Sequence, residues 1–122
     1  MDEAELKGRT KAFALRAIKV VDALPHSQAG RTIGRQLVRS ATSVGANYRA
    51  ACRGRSRAEF VAKLGVALEE ADESAYWIEL IMEAELVPSH RMEPLLTEAN
   101  ELTAILTASI KSTKRSQAES KI

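Results

Sequence analysis

The 122-residue chain lacks several features that would place it in common functional classes. It has one cysteine, which excludes an intrachain disulfide, and only 4% aromatic residues, which favours helix-on-helix packing over a β-rich core. It has no apolar run of about 18 residues, the usual length of a membrane-spanning helix. Its N-terminus has no signal-peptide pattern. We therefore expect a soluble, all-helical protein in the reducing cytoplasm, with no membrane partner.

Residues that commonly perform catalysis or bind metals are also scarce. The two histidines, His26 and His90, do not follow a glutamate by three residues, so the paired Glu-x-x-His ligands of di-iron bundles are absent. Gly30 and Gly34 lack the strand context of a phosphate-binding loop. Cys52 has no CxxC partner, although nearby arginines would favour its thiolate, which leaves thiol chemistry open as an alternative. We predict no catalytic residues, no metal, no cofactor and no enzymatic activity.

Acidic residues are absent from residue 23 to residue 58, and this segment contains seven arginines. At about 100° per residue, five of them fall within an arc of roughly 80° on one predicted helix. We call these five the arginine stripe: Arg31, Arg35, Arg39, Arg49 and Arg53. Arg55 and Arg57 extend it. The opposite face is apolar and carries Ile33, Leu37, Ala41, Val44, Tyr48 and Ala51. The pattern predicts a helix that buries one face and presents arginines on the other.

Four segments have apolar residues at helical spacing: residues 6–24, 29–53, 56–87 and 90–112. Pro25, Gly54 and Pro88 mark the ends of the first three. Ser56 and Glu59 form a capping-box pattern at the start of the third.

The short connections between these helices favour antiparallel neighbours. We therefore predict an all-α fold, an up-down-up-down antiparallel four-helix bundle. It forms one domain over residues 1–115, followed by a disordered C-terminal tail at residues 116–122.

The third predicted helix has the opposite charge to the second. It carries seven acidic residues and no lysine or arginine between residues 64 and 89. Exposed pairs between these two helices would contribute only about 0–1 kcal/mol each. Side chains that point directly away from the core cannot easily reach a neighbouring helix of the same bundle. The arginine stripe is therefore expected to meet the acidic face of another subunit or the phosphates of a nucleic acid.

Four residues of the third helix are candidates for an oligomer interface. Val66, Trp77 and Ile81 lie on one flank outside the main apolar stripe, and Tyr76 falls among carboxylates on the outer face. Trp77 could equally pack against the edge of a neighbouring helix. On the second helix, a stripe of small or amide side chains lies beside the apolar face and permits close helix approach: Gln36, Ser40, Ser43 and Asn47.

The stretches RQLVRSATSVGANYRAACRGRSRAEFVAKLGVALEEADESAYWIEL and EANELTAILTASIKS resemble a bacterial four-helix bundle family. Its members include proteins encoded in intervening sequences of 23S ribosomal RNA genes. The most distinctive residues are Gln36, Arg39, Ser43, Asn47, Arg49, Ser56, Glu59, Phe60, Glu70, Glu73, Tyr76, Trp77 and Glu79. The resemblance implies a ring-like homopentamer. It also implies kinship with accessory proteins of diversity-generating retroelements, which bind a reverse transcriptase and nucleic acid.

Two functional hypotheses follow. In the first, the protein is a homo-oligomer that binds nucleic acid through the arginine stripe, with RNA favoured over DNA only by the resemblance. In the second, it is a structural or protein-binding adaptor, and the stripe pairs with the acidic third helix of a neighbouring subunit. The first predicts exposed arginines in the assembled protein, and the second predicts covered ones.

Overall fold

The computed structural model describes residues 1–120, with side chains described through residue 119, and this part of the chain forms four helices and no strand. The helices are α1 (Glu3–Asp22), α2 (Gln28–Cys52), α3 (Arg57–Glu83) and α4 (Ser89–Ser120). The predicted all-α bundle is confirmed. Within the same residues, no helix is both long enough and apolar enough to cross a membrane.

Short polar side chains cap the first three helices. The Asp2 carboxylate accepts the N–H of Glu5 at 2.8 Å, and the Ser27 hydroxyl accepts that of Gly30 at 3.1 Å. Ser56 caps α3 as its sequence pattern predicts, by accepting the N–H of Glu59 at 3.1 Å. These bonds satisfy backbone donors that lack partners within the helix.

The end of α3 differs from the prediction, because the helix stops at Glu83 rather than at residue 87. Glu85 follows with a left-handed backbone, φ 54°. Its N–H donates to the carbonyl of Met82 at 3.1 Å, and the N–H of Leu86 donates to that of Ile81 at 3.0 Å. This pair of bonds is a Schellman motif, which usually places glycine at the left-handed position.

The last helix is longer than predicted. It continues to Ser120 instead of ending at residue 112. The disordered tail predicted at residues 116–122 is therefore helical over residues 116–120, and residues 121 and 122 lie outside the described part of the chain.

The helices pack in chain order, with α2 against α1 and α3, and α4 against α3 and, less extensively, α1. The predicted apolar face of α2 enters the core, where Leu37, Ala41 and Val44 are fully buried. The outer side of α2, which carries the arginine stripe, is thus turned away from the core.

Small residues bring α2 close to both of its neighbours. On the α3 side, the hydroxyl of Ser74 donates to that of Ser40 at 2.8 Å, and both residues are fully buried. On the α1 side, a Cβ atom added to Gly34 would lie 3.1 Å from Val21 Cγ1, and one added to Gly45 would lie 3.2 Å from the Thr10 hydroxyl oxygen. These approaches fix the position of α2.

A charged contact joins α1 to α4. The Arg9 guanidinium donates two hydrogen bonds of 2.7 Å to the carboxylate of Glu98, and Glu101 lies 3.2 Å from the same guanidinium. A bidentate pair of this kind fixes the geometry of both side chains.

Candidate nucleic-acid interface

Four members of the arginine stripe are exposed on the outer side of α2, and their charges are not paired within the described part of the protomer. Within residues 1–120, the guanidinium groups of Arg31, Arg35, Arg49 and Arg53 have no hydrogen-bond or ion-pair partner. The first and last members of the stripe are separated by about 33 Å along the helix axis, at 1.5 Å per residue. A guanidinium without a protein partner keeps its donors for ligand oxygens.

Arg39 is different, and it corrects one expectation. Its guanidinium donates to Glu70 on α3 at 3.0 Å and also to Glu73. The expectation that the stripe cannot reach a neighbouring helix of the same bundle is therefore wrong at this position. Arg39 lies at the α3 edge of the arc, about 40° from Arg35, which explains its reach.

The two arginines that follow the stripe are exposed at the same end of the bundle. Arg55 lies in the loop between α2 and α3, where its backbone N–H donates to the Glu59 carboxylate at 2.6 Å. Arg57 is the first residue of α3. The positive surface therefore continues around the C-terminal end of α2.

A groove of about 480 Å³ runs along the N-terminal half of the stripe, between the end of α1 and α2. Val21, Leu24 and Val38 form its apolar surface, and arginines of the stripe line the other side. Its complete lining is Val21, Leu24, Pro25, His26, Gly30, Arg31, Gly34, Arg35, Val38 and Arg39. We call this the α1–α2 groove.

A second, smaller groove of about 180 Å³ lies further along the same helix pair. Lys7 and Lys11 of α1 line it together with Arg49. Lys7 forms an ion pair with Glu3 at 2.8 Å, and this pairing lowers the pKa of the exposed Glu3 carboxyl. Lys11 is exposed and adds positive charge from α1 to the stripe.

The four predicted oligomer residues differ in exposure. Tyr76 and Val66 are exposed, at 53% and 40%, on α3. Trp77 is half-buried and packs edge-on against Tyr76, with ring centroids 5.1 Å apart. Its Nε1–H is buried and has no acceptor among the described residues. Ile81 is fully buried in the protomer, so its assignment to an interface is wrong.

The other reactive side chains do not converge on a site. Cys52 is half-buried beside Tyr48. Burial raises the pKa of Tyr48, and the Cys52 thiol and the carboxylates of Glu3 and Asp2 raise it further. Among the residues that the structure describes, no three histidine, cysteine or acidic side chains cluster as metal ligands would.

Sequence reasoning missed the α1–α2 groove and two exposed apolar residues of α1, Leu15 and Ile18, which are 56% and 38% exposed. Both fall outside the buried positions of α1, which include Phe13 and Ala17. A large apolar residue at a position outside the buried face was the sequence signal that could have identified these two residues. The groove itself depends on how closely α1 approaches α2, which a sequence pattern does not specify.

Comparison with known proteins places these features in a family context. A family model described as 23S rRNA-intervening sequence protein matches residues 3–108. The chain is also similar to a crystal structure of a protein of unknown function from the S23 ribosomal protein family of Bacteroides thetaiotaomicron VPI-5482. The two share 34% identity with a TM-score of 0.84, over 91% of this chain and 99% of that one. A search of curated proteins finds no match.

Proposed function

The chain belongs to the 23S rRNA-intervening sequence protein family, and on that basis and on the exposed arginines we propose that it is a non-enzymatic, homo-oligomeric protein that binds nucleic acid. Four members of the arginine stripe, together with Arg55, contact phosphates. The observation that carries the proposal is the set of exposed, unpaired guanidinium groups along α2. RNA is the expected ligand, and this preference comes from the family resemblance alone.

Physical chemistry favours a phosphate ligand for this surface. Arginine binds phosphate in bidentate fashion, and successive members of the stripe separated by four residues are about 6 Å apart along the axis. Each phosphate that an arginine neutralises releases counterions, so binding weakens steeply with salt. Because arginines at this spacing read the backbone rather than base edges, the interaction is largely independent of sequence.

Self-association would use a different side of the molecule. Tyr76 and Val66 lie on the outer part of α3, whereas the stripe faces outward from α2. An interface through the α3 residues leaves the stripe open, and each added subunit contributes another stripe. The family resemblance suggests a pentamer, in which five stripes act together and raise the apparent affinity through multivalency.

A second function is favoured by the contacts of Arg39. This residue pairs with Glu70 and Glu73 of α3 within the protomer, which supports the idea that an arginine of α2 can bind carboxylates of α3. The same chemistry between subunits would pair Arg31 or Arg35 with outer carboxylates of a neighbouring α3. In that arrangement the protein is a structural or protein-binding oligomer with a covered stripe.

The test is a titration of fluorescent single- and double-stranded RNA and DNA at low and high salt, with the protein mass fixed by light scattering. The variant Arg49→Glu, Arg53→Glu removes two unpaired arginines. Arg16→Glu, Arg91→Glu makes the same change in net charge at exposed sites on α1 and α4. The first variant should lose binding at unchanged mass, and the second should retain it.

Two results would contradict the proposal. Absence of salt-dependent binding by the wild-type protein would show that the protein does not bind nucleic acid in the way proposed. Loss of the oligomer in the Arg49→Glu, Arg53→Glu variant, with the control still assembled, would assign the stripe to a subunit interface and favour the adaptor.

A further inference from the structure

The α1–α2 groove combines an apolar surface with a positive rim, which a purely phosphate-binding surface does not need. Its floor is formed by the side chains of Val21, Leu24 and Val38. Arg31 and Arg35 stand on the rim, exposed and unpaired within the described residues. The arrangement suits a ligand that has both a flat apolar part and a negative charge next to it.

Two glycines of α2 allow close packing at the groove. Gly34 allows α2 to approach Val21 and Leu24, since a Cβ atom there would lie 3.1 and 3.3 Å from their side chains. Gly30 fits beneath Pro25, because a Cβ atom would lie only 2.1 Å from the Pro25 carbonyl oxygen. The floor therefore belongs to the packed framework of the bundle.

We propose that the α1–α2 groove holds one nucleobase of a single-stranded nucleic acid, while Arg31 and Arg35 bind the phosphates on either side of it. The inference rests on the proposed function and extends it from the phosphates to the bases. The volume of about 480 Å³ lies within the usual range for small-ligand sites, about 300–1,000 Å³.

The groove also contains groups suited to the face and edge of a base. His26 is exposed at one end of the groove and can stack on a base, as histidine and arginine side chains do in complexes with single-stranded RNA. Arg39 lines the other part of the rim, held by Glu70 and Glu73. Because these carboxylates hold its side chain in place and partly neutralise its charge, Arg39 lines the groove but does not bind a further phosphate.

The site predicts a preference for single strands. In a duplex the faces of the bases are stacked and cannot enter a groove, whereas unpaired bases can turn outward. Sequence preference should be weak, because every base has a flat face and the floor offers no pattern of hydrogen bonds.

The experiment compares a twelve-nucleotide oligothymidine with an abasic oligonucleotide of the same length, which has the same phosphates and no bases. At one low salt concentration, the wild-type protein should bind the oligothymidine at least about fivefold more tightly, the ratio that corresponds to the lower end of the stacking free energy for one base. Val38→Gln, which makes the half-buried floor polar without adding charge, should remove this ratio and leave abasic binding unchanged. His26→Ala, at an exposed loop residue, should reduce the ratio.

The outcomes separate this inference from the proposed function. Equal binding of both oligonucleotides by the wild-type protein would overturn the base site and leave phosphate binding by the stripe intact. Binding of neither would overturn both. The wild-type comparison needs no variant, so poor folding of Val38→Gln would not affect it. Tighter binding of an acidic glutamate–tyrosine copolymer than of oligothymidine would assign the groove to an acidic protein segment and overturn the inference.

Discussion

Ser40 of α2 and Ser74 of α3 share a 2.8 Å hydrogen bond between their hydroxyl oxygens at a fully buried contact. The Ser74 hydroxyl also lies 2.8 Å from the carbonyl of Glu70, and that of Ser40 donates to the carbonyl of Leu37 at 3.3 Å. Both hydroxyls are thus satisfied without water. Arg39, the residue before Ser40, forms its ion pairs with the same helix, so this small-residue contact sets the distance that those pairs span.

Enlarging this contact should destabilise the bundle. Ser40→Val adds volume and removes a hydroxyl at this buried contact between α2 and α3, and overpacking of this kind costs about 1–3 kcal/mol. Ser40→Ala, the matched control, removes only the hydroxyl and leaves Ser74 its bond to Glu70, so it should cost about 1 kcal/mol. Urea unfolding monitored by circular dichroism measures both. Equal losses would mean that the helices are not in close contact at this point.

Two glycine-to-alanine variants test the close packing of Gly30 against the turn between α1 and α2. Gly30→Ala would place a Cβ atom 2.1 Å from the carbonyl oxygen of Pro25, so we expect a loss of stability and a change at the adjacent groove. Gly65→Ala has no atom within 4 Å of the new Cβ and lies within α3. It should stabilise the protein by about 0.5–1 kcal/mol through helix propensity. A rise in melting temperature for both variants would contradict the packing at Gly30.

Replacing Glu85 with glycine should stabilise the protein. Its left-handed backbone ends α3, and a non-glycine residue there costs roughly 1–2 kcal/mol. Glu85→Gly removes that strain but frees the unfolded chain, so the expected net gain is about 0.5–1 kcal/mol. Glu79→Gly, six residues earlier at an exposed position inside the helix, should instead destabilise by about 1 kcal/mol. Differential scanning calorimetry distinguishes the two changes.

The helix bounds show which parts of the fold the sequence predicts and which it does not. The bounds of α2 were predicted within one residue, because Pro25 precedes the helix and Gly54 follows it. The end of α3 was placed too late because its left-handed residue is Glu85, and a glutamate gives no stop signal. The end of α4 was placed too early although no glycine or proline follows Pro94.

The candidate site shows the same limit. Positions that face outward or inward, such as Arg35 and Leu37, follow from periodicity alone. Arg39 and Ile81 lie at helix edges, where periodicity allows either environment. Their partners, the carboxylates of α3 in one case and the core in the other, depend on how the helices pack.

Burial of Tyr48 predicts a loss of stability in alkaline solution. Its folded pKa is raised, chiefly by burial, above the ordinary value of about 10. Below that value tyrosine is neutral in both states. As the pH rises above it, only the unfolded chain ionises, which favours unfolding. The free energy of unfolding, from urea titrations between pH 8 and 11, should therefore fall more steeply for the wild type than for Tyr48→Phe. Parallel curves would show that Tyr48 ionises equally in both states.

The ion pairs of Arg39 predict a gain of nucleic-acid binding. Glu70→Gln, Glu73→Gln would release this arginine from α3 and add a phosphate contact, so the slope of log affinity against log salt should steepen by about 0.7–0.9. Because the Arg39 side chain is half-exposed, loss of these pairs should cost only about 0–1 kcal/mol each in stability. Glu93→Gln, Glu119→Gln makes the same change in net charge on α4, which does not contact α2, and should leave the slope unchanged. An equal steepening in both variants would attribute the effect to net charge and exclude Arg39 as a latent member of the surface.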